Sequence, residues 1–339
     1  MEKREIYTSL ILFFIFLVSY FLEGFLWVLW TMLSLTLYCI ISYIFYYLWK
    51  LLRTQRYLTG FEYVQEFFYR VANITLLLTV VLWSFVAYEN EINPATMPLY
   101  TLSNGSKTVF FQWMVHIGRA DFYKQVQENL KEKKKAGAVL FYEGVKPGTK
   151  ENMEKFDAAI GIKFSKELYK NFSKLYGVTF QDNQDLLWIV NNKDVNVDIS
   201  IDDIMKFYDT ESAKDKTAPA SITDINQMIL DDLANLDEKK LKILVYLNQA
   251  IMSTLIKSDF FKKTLMDEFG NKALFDVILQ KRNENLAKAI ETSSEKQIFV
   301  TYWLLHFDGV LELLQKNDSK WQVTETQYLY PFHVPRKWH

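Results

Sequence analysis

Two histidines and a glutamate each close an apolar run in this sequence. TVFFQWMVH ends at His116, AVLFYE at Glu143 and IFVTYWLLH at His306. Side chains of these types, brought together, can hold a divalent metal, or one can act as a base while the others bind and orient a substrate. Imidazole suits zinc, manganese, cobalt or nickel, and a carboxylate shifts the preference toward harder ions. A histidine closing an apolar strand is also common as plain hydrogen-bonded structure, so both uses stay open. His333 and His339 lie in the tail HVPRKWH and are expected at the surface. No GxGxxG, GxxxxGK, GxSxG, HExxH or CxxC occurs, which removes the signatures of several other chemistries.

The elements that must position these groups can be traced around them. Leu99 to Leu102 and Thr108 to Phe111 flank Ser103-Asn104-Gly105-Ser106, and Asn-Gly there is expected to supply two positive-φ positions for a hairpin. The second strand runs on to His116. Phe122, Val126 and Leu130 then recur at fours, Lys131 to Lys135 load the last turn, and Gly137 ends the helix. Ala138 to Tyr142 is a short continuous apolar run, which suits a strand buried on both faces. Strand, helix, strand predicts a right-handed crossover in a parallel sheet, with ligands beyond the carboxyl ends of the strands.

Further along, a helix is predicted over 152–176, ended by Gly177, and a short strand over Val178-Thr179-Phe180. The segment 185–191 is helix or strand. A helix starts after Ser200 with Asp203 as capping partner, and 210–220 is a loop. Two or three helices fill 222–292, with Leu241 to Ile256 a core helix. The last of them, 271–293, carries Arg282 and Asn283 in its middle. A lone helix arginine is usually solvated. The strand ending in His306 precedes a helix over 309–315, with Asp308 as its expected cap, and 321–330 closes the chain as a strand.

The chain has 339 residues and a net charge of −1, so no basic field points to nucleic acid. Its single cysteine, Cys39, excludes a disulfide framework and a thiolate metal site. Uncharged apolar runs over about 6–22, 25–49 and 71–88 are long enough to cross a bilayer. Lys3, Arg4, Lys50, Arg53, Arg56 and Arg70 fall on one side of these spans and Glu23, Glu89 and Glu91 on the other. That distribution places the amino terminus in the cytoplasm and everything after Tyr88 outside, as a periplasmic or cell-surface domain. The stretch between Arg56 and Arg70 is either a helix lying along the membrane or an ordinary connecting helix. The expected organisation is thus α/β: a transmembrane region over 1–93, then a domain over 94–339. That domain has a central, mostly parallel sheet, an N-terminal β-hairpin and a helical insertion.

Pro98-Leu99-Tyr100, the Asn-Gly hairpin, His116-Ile117-Gly118, Glu143, Arg282-Asn283 and His306 to Gly309 together resemble the TraB/PrgY/GumN group, which includes the TIKI proteases. The resemblance covers roughly 97–332 and is carried between its ends only by Gln181 and Asn196-Val-Asp-Ile-Ser. It implies a fold related to erythromycin-esterase-like and ChaN-like proteins, and metal-dependent hydrolysis of peptides. On that resemblance the site is His116, Glu143, Arg282 and His306. His116, His306 and Glu143 would hold a divalent metal (Mn, Co or Zn), and Arg282 would stabilise substrate charge or orient Glu143. The chain departs from the group at Trp113 and Trp303, where members carry glycine three residues before each histidine. These indoles are expected to contact substrate, to pack on each other, or to close the site. The expected function is a membrane-anchored metal-dependent peptidase. The alternative is an inactive relative that binds a peptide or membrane partner through the same cleft, and haem or iron binding is a third option.

Overall fold

The structure is a computed structural model, and it describes residues 3–51, 58–160, 166–181, 191–211, 229–230, 233, 236–258 and 272–335. The chain divides into two compact units, Met1–Val86 and Ala87–His339.

The first unit holds three helices, α1 (Lys3–Glu23), α2 (Phe25–Leu51) and α3 (Gly60–Ala87). All three are long and apolar enough to cross a membrane. Gly24, at φ +83°, separates α1 from α2. Most of their large apolar side chains are exposed, which water would not tolerate and lipid would. α3 starts well before Val71, because Thr59 and Glu62 form a reciprocal capping box: the Thr59 N–H donates to Glu62 Oε2 at 2.7 Å and the Glu62 N–H to Thr59 Oγ1 at 3.4 Å. The stretch 60–70 is therefore the opening of α3 and not a separate element. Arg4 and Arg70 both bond Glu66, and Gln65 donates to Glu5, tying the starts of α1 and α3.

The second unit begins with a π-helical turn, Tyr88–Ile92, that is packed rather than loose. Glu89 is buried against Lys257 and Ser253, and Asn90 donates to the Tyr246 carbonyl at 2.8 Å. Nearby, His333 is only half-exposed: its ring meets Tyr246 and its Nε2 lies 3.4 Å from Glu91. His339 lies outside the described residues.

The central sheet has the order β6-β4-β7-β2-β1-β8. Its strands are β1 (Met97–Ser103), β2 (Thr108–Met114), β4 (Val139–Tyr142), β6 (Val195–Asn196), β7 (Gln297–Trp303) and β8 (Gln322–Leu329). β6, β4, β7 and β2 pair in parallel, and β1 runs antiparallel to both β2 and β8. The loop between β1 and β2 turns through Gly105 alone at positive φ; Asn104 instead accepts the N–H groups of Ser106 and Lys107 with its side chain. That Asx-type turn corrects the expectation of two positive-φ residues.

Helices cover both faces of the sheet. On one face α4 (Ala120–Lys135) seats Phe122, Val126 and Leu130, all fully buried, near Met114, Leu99, Leu140 and Phe299. Each such side chain contributes about 1.5–3 kcal/mol. On the other, α9 (Lys272–Thr292) brings Leu286, Ala287 and Ile290, and α10 (Phe307–Asn317) brings Phe307, Val310 and Leu314, onto Phe111, Val300 and Tyr302. Asp308 lies inside the first turn of α10 and is not its cap, because the chain already turns as a 3-10 helix from Leu304 to His306.

Between β4 and α9 stand α5 (Lys150–Ile160), α6 (Lys166–Leu175), α7 (Ile201–Glu211) and α8 (Glu238–Lys257). The helix predicted over 152–176 is carried by α5 and α6. Ser200 and Asp203 cap α7 reciprocally. β3 (Ile117–Gly118) and β5 (Thr179–Phe180) form a separate two-stranded sheet. The undecided 185–191 and the loop 210–220 fall almost wholly outside the described residues.

Candidate functional site

The carboxyl ends of β2, β4 and β7 deliver His116, Glu143 and His306, and the middle of α9 delivers Arg282. Glu143 follows β4 directly, and its own N–H is fixed on the Thr301 carbonyl of β7 at 3.0 Å. Its carboxylate is fully engaged: Oε1 accepts from Arg282 Nη1 at 3.0 Å, and Oε2 accepts from the Trp303 backbone N–H at 2.6 Å.

Arg282 is buried and faces a second carboxylate, Asp198. Nε donates to Asp198 Oδ1 at 2.7 Å and Nη2 bonds Oδ2, a two-pronged pairing that fixes the guanidinium plane. Asp198 lies two residues beyond β6, where Asn196 accepts its N–H and donates to the Gly144 carbonyl. Burial opposes the charge on Arg282, but Glu143 and Asp198 outweigh it and raise its pKa. The arginine is thus a structural keystone at the strand ends, not a solvated helix residue. Asp198 is absent from the site foreseen in the sequence. The only hint was an aspartate close behind a short apolar-polar pair, in Asn196-Val-Asp-Ile-Ser.

The two histidines have unlike surroundings. His116 keeps an exposed face, with Tyr169 of α6 5.4 Å away on one side and the Trp303 indole 6.0 Å away and nearly parallel on another. The Gln181 N–H donates to the His116 carbonyl at 2.7 Å, which ties this loop to the end of β5. Protein packed around the rest of the ring lowers its pKa; Arg282 adds to that and Glu143 opposes it. His306 is fully buried. Its Nδ1 lies 2.7 Å from Asn283 Oδ1, which assigns the proton to Nδ1 and leaves Nε2 as the acceptor. Nε2 has no hydrogen-bond partner among the described residues, and neither has the buried hydroxyl of Tyr302, whose ring meets His306 edge-on at 4.9 Å. Burial, then Arg282 and His116, hold the His306 pKa well below its ordinary value.

Gly309 explains its own place in this motif. A Cβ there would lie 2.2 Å from Asn283 Nδ2, so only glycine lets Asn283 reach His306. Tyr169, half-buried beside the site, has its pKa pushed up to about 12 by burial and then by Glu143.

The two tryptophans separate. In the parallel β2–β7 register Trp113 stands beside Tyr302 and Met114 beside Trp303, so the indoles leave opposite faces of the sheet. Trp113 packs with Tyr100 and Phe307, 5.7 and 5.9 Å away. Trp303 alone borders the site, near both His116 and His306, the latter at 6.4 Å. They do not pack on each other, because side chains alternate along a strand and the two occupy positions of opposite parity.

Among the described residues no group of three His, Cys, Asp or Glu side chains is placed to hold a metal ion. The expected set of His116, His306 and Glu143 does not fit one. Both Glu143 oxygens are occupied, a guanidinium adjoins them, and the Trp303 ring neighbours both imidazoles. Comparison with family models, curated proteins and solved structures found no match for the chain.

Proposed function

We propose that this chain is a membrane-anchored hydrolase that cleaves peptides or proteins outside the cytoplasm, at the ends of β2, β4 and β7. The three apolar helices support the anchoring, and the lysine and arginine distribution supports a cytoplasmic amino terminus with the domain on the outer side. The observation that carries the chemistry is an exposed imidazole, His116, at the strand ends beside Glu143, whose carboxylate is held by the buried Arg282–Asp198 pair.

In this proposal His116, neutral at pH 7, takes a proton from water as the oxygen attacks a peptide carbonyl. Glu143 favours the imidazolium that forms, and His116 returns the proton to the leaving amine. Arg282 keeps Glu143 fixed, so its work is positioning. His306 and Asn283 brace the end of β7, where the Trp303 N–H holds the other oxygen of Glu143. No metal enters these steps.

The test is cleavage of a peptide library by the full-length protein in nanodiscs, insensitive to chelator and abolished by His116→Ala with the fold retained. A folded wild type that cleaves nothing sinks the proposal. One observation favours a second reading, a binding protein with a blocked site: the Trp303 ring is stacked beside His116 and also adjoins His306. Trp303→Gly separates the two, since a gain of cleavage in an otherwise silent protein marks the indole as the block.

A further inference from the structure

The second unit opens on a built joint. Tyr88–Ile92 follows α3 directly and belongs to the chain's single crossing from the first unit to the second. The turn is π-helical, a rare form that recurs at functional positions, and it buries two polar side chains, Glu89 and Asn90.

These side chains meet one face of α8. Asn90 Nδ2 donates to the Tyr246 carbonyl at 2.8 Å, and the Tyr246 hydroxyl donates to Glu91 Oε1 at 3.1 Å. Ser253, also buried, donates to Glu89 Oε2 at 3.1 Å and accepts the Ala95 N–H at 2.8 Å. Lys257 bonds both Glu89 and the Asn93 carbonyl. Tyr246, Ser253 and Lys257 are seven and four residues apart, so they form one stripe along the helix.

The adjoining face of α8 holds a wall of the site. Asn248 Nδ2 donates to the Leu175 carbonyl at 3.0 Å and Gln249 Nε2 to the Tyr176 carbonyl at 2.9 Å, at the end of α6. Gly177, at φ +60°, lies so close to Val245 that a Cβ there would come 2.6 Å from Val245 Cγ1. α6 carries Tyr169 beside His116. β5 is bonded to the His116 loop, through Thr179 Oγ1 on the Gly118 carbonyl and the Gln181 N–H on the His116 carbonyl. Both faces of α8 are thus pinned by directional bonds, which fix one arrangement where apolar packing alone tolerates slippage.

We infer that the turn Tyr88–Ile92 controls this wall. It pins α8, α8 pins the end of α6 and β5, and displacing the turn loosens Tyr169 and Gln181 beside His116. Glu89 and Asn90 are then positioning residues that act on the site through α8. The inference goes beyond the hydrolase proposal and is read without substrate.

The experiment is hydrogen exchange of the full-length protein in nanodiscs, read by mass spectrometry. In Asn90→Ala the amides of 178–181 should exchange on the order of tenfold faster, as expected when a buried hydrogen bond that holds the network is lost. Those of 88–96 and α8 should follow, while β4 and β7 keep wild-type rates. Glu89→Gln, which keeps the shape but loses the charge facing Lys257, should act in the same direction with a smaller effect. Gln249→Ala should also speed 178–181, and combining it with Asn90→Ala should add little, because both act through α8. Acceleration confined to 88–96 and α8 overturns the inference. So does acceleration spread evenly into β4 and β7, which marks general destabilisation, and so do fully additive effects in the double variant. Should Asn90→Ala fail to fold, Glu89→Gln and Gln249→Ala carry the same comparison. A wild type that cleaves no peptide removes the hydrolase and leaves this result standing.

Discussion

β2 and β7 lie side by side in parallel and end in the same spelling, Trp-Met-Val-His and Trp-Leu-Leu-His, yet they use its two residues in opposite ways. At the end of β2 the tryptophan, partly buried, packs against the core on Phe307 and Tyr100, and the histidine is exposed. At the end of β7 the tryptophan borders the site, and the histidine is buried with its Nδ1 on Asn283. Two causes suffice. The register puts the two tryptophans at opposite parity, and after β7 the chain turns at once into a helix that drives His306 inward, whereas after β2 it passes to β3. A repeated motif thus fixes residue types at strand ends but not which of them meets substrate.

The largest effect expected is at the array both ends share. Arg282→Met strips the counter-charge from buried Asp198 and from Glu143 beside it, and should cost about 3–5 kcal/mol in the unfolding free energy of the domain; unchanged melting would show that the array is dispensable.

The tryptophans come next. Both rings are partly buried; Trp113→Gly strips the packing on Tyr100 and Phe307 and should cost about 3 kcal/mol, the lower end for a core aromatic, whereas Trp303→Gly, beside the two site imidazoles, should cost less and act on substrate. Equal losses of stability would erase the contrast between the two ends.

Asn283→Ala strands the Nδ1–H of a buried histidine, a cost of about 1–3 kcal/mol, and Gly309→Ala should reproduce it by pushing Asn283 away. His116→Ala, on the exposed counterpart, should change stability by no more than about 0.5 kcal/mol while abolishing cleavage.

The pH dependence follows from the direction of both shifts. His116 and His306 have folded-state pKa values below the ordinary 6.5, so below that pH the unfolded chain binds more protons than the folded one. Stability is full above about pH 6.5 and falls as the pH drops toward the folded values. His306→Gln should flatten that fall more than His116→Gln, as judged from melting curves between pH 7 and pH 5.

Much of this was legible in the sequence. The apolar runs located β2, β4 and β7 and the residues that end them, and the fourfold spacing of Phe122, Val126 and Leu130 located α4. The start of α3 was legible too, as Thr59-Gly-Phe-Glu62, but apolarity alone marks the span and not the helix that contains it. The separation of the tryptophans was hidden because it depends on the β2–β7 register, a contact between residues nearly two hundred positions apart. Asp198 was hidden for the same reason: its meaning comes from Arg282, which reaches it from another element. The bonding of Glu143 was hidden because composition cannot tell that Arg282 and the Trp303 N–H already engage its two oxygens.

The contrast between the two strand ends is tested most directly by diethyl pyrocarbonate labelling of the full-length protein at pH 7, read by mass spectrometry at each histidine. Both imidazoles are neutral there, so their reactivity reports access rather than protonation. The account predicts that His116 is modified quickly, with cleavage lost in step, and that His306 reacts only on unfolding. Modification of His306 as fast as His116, or a His116 that resists the reagent in the folded protein, would contradict it.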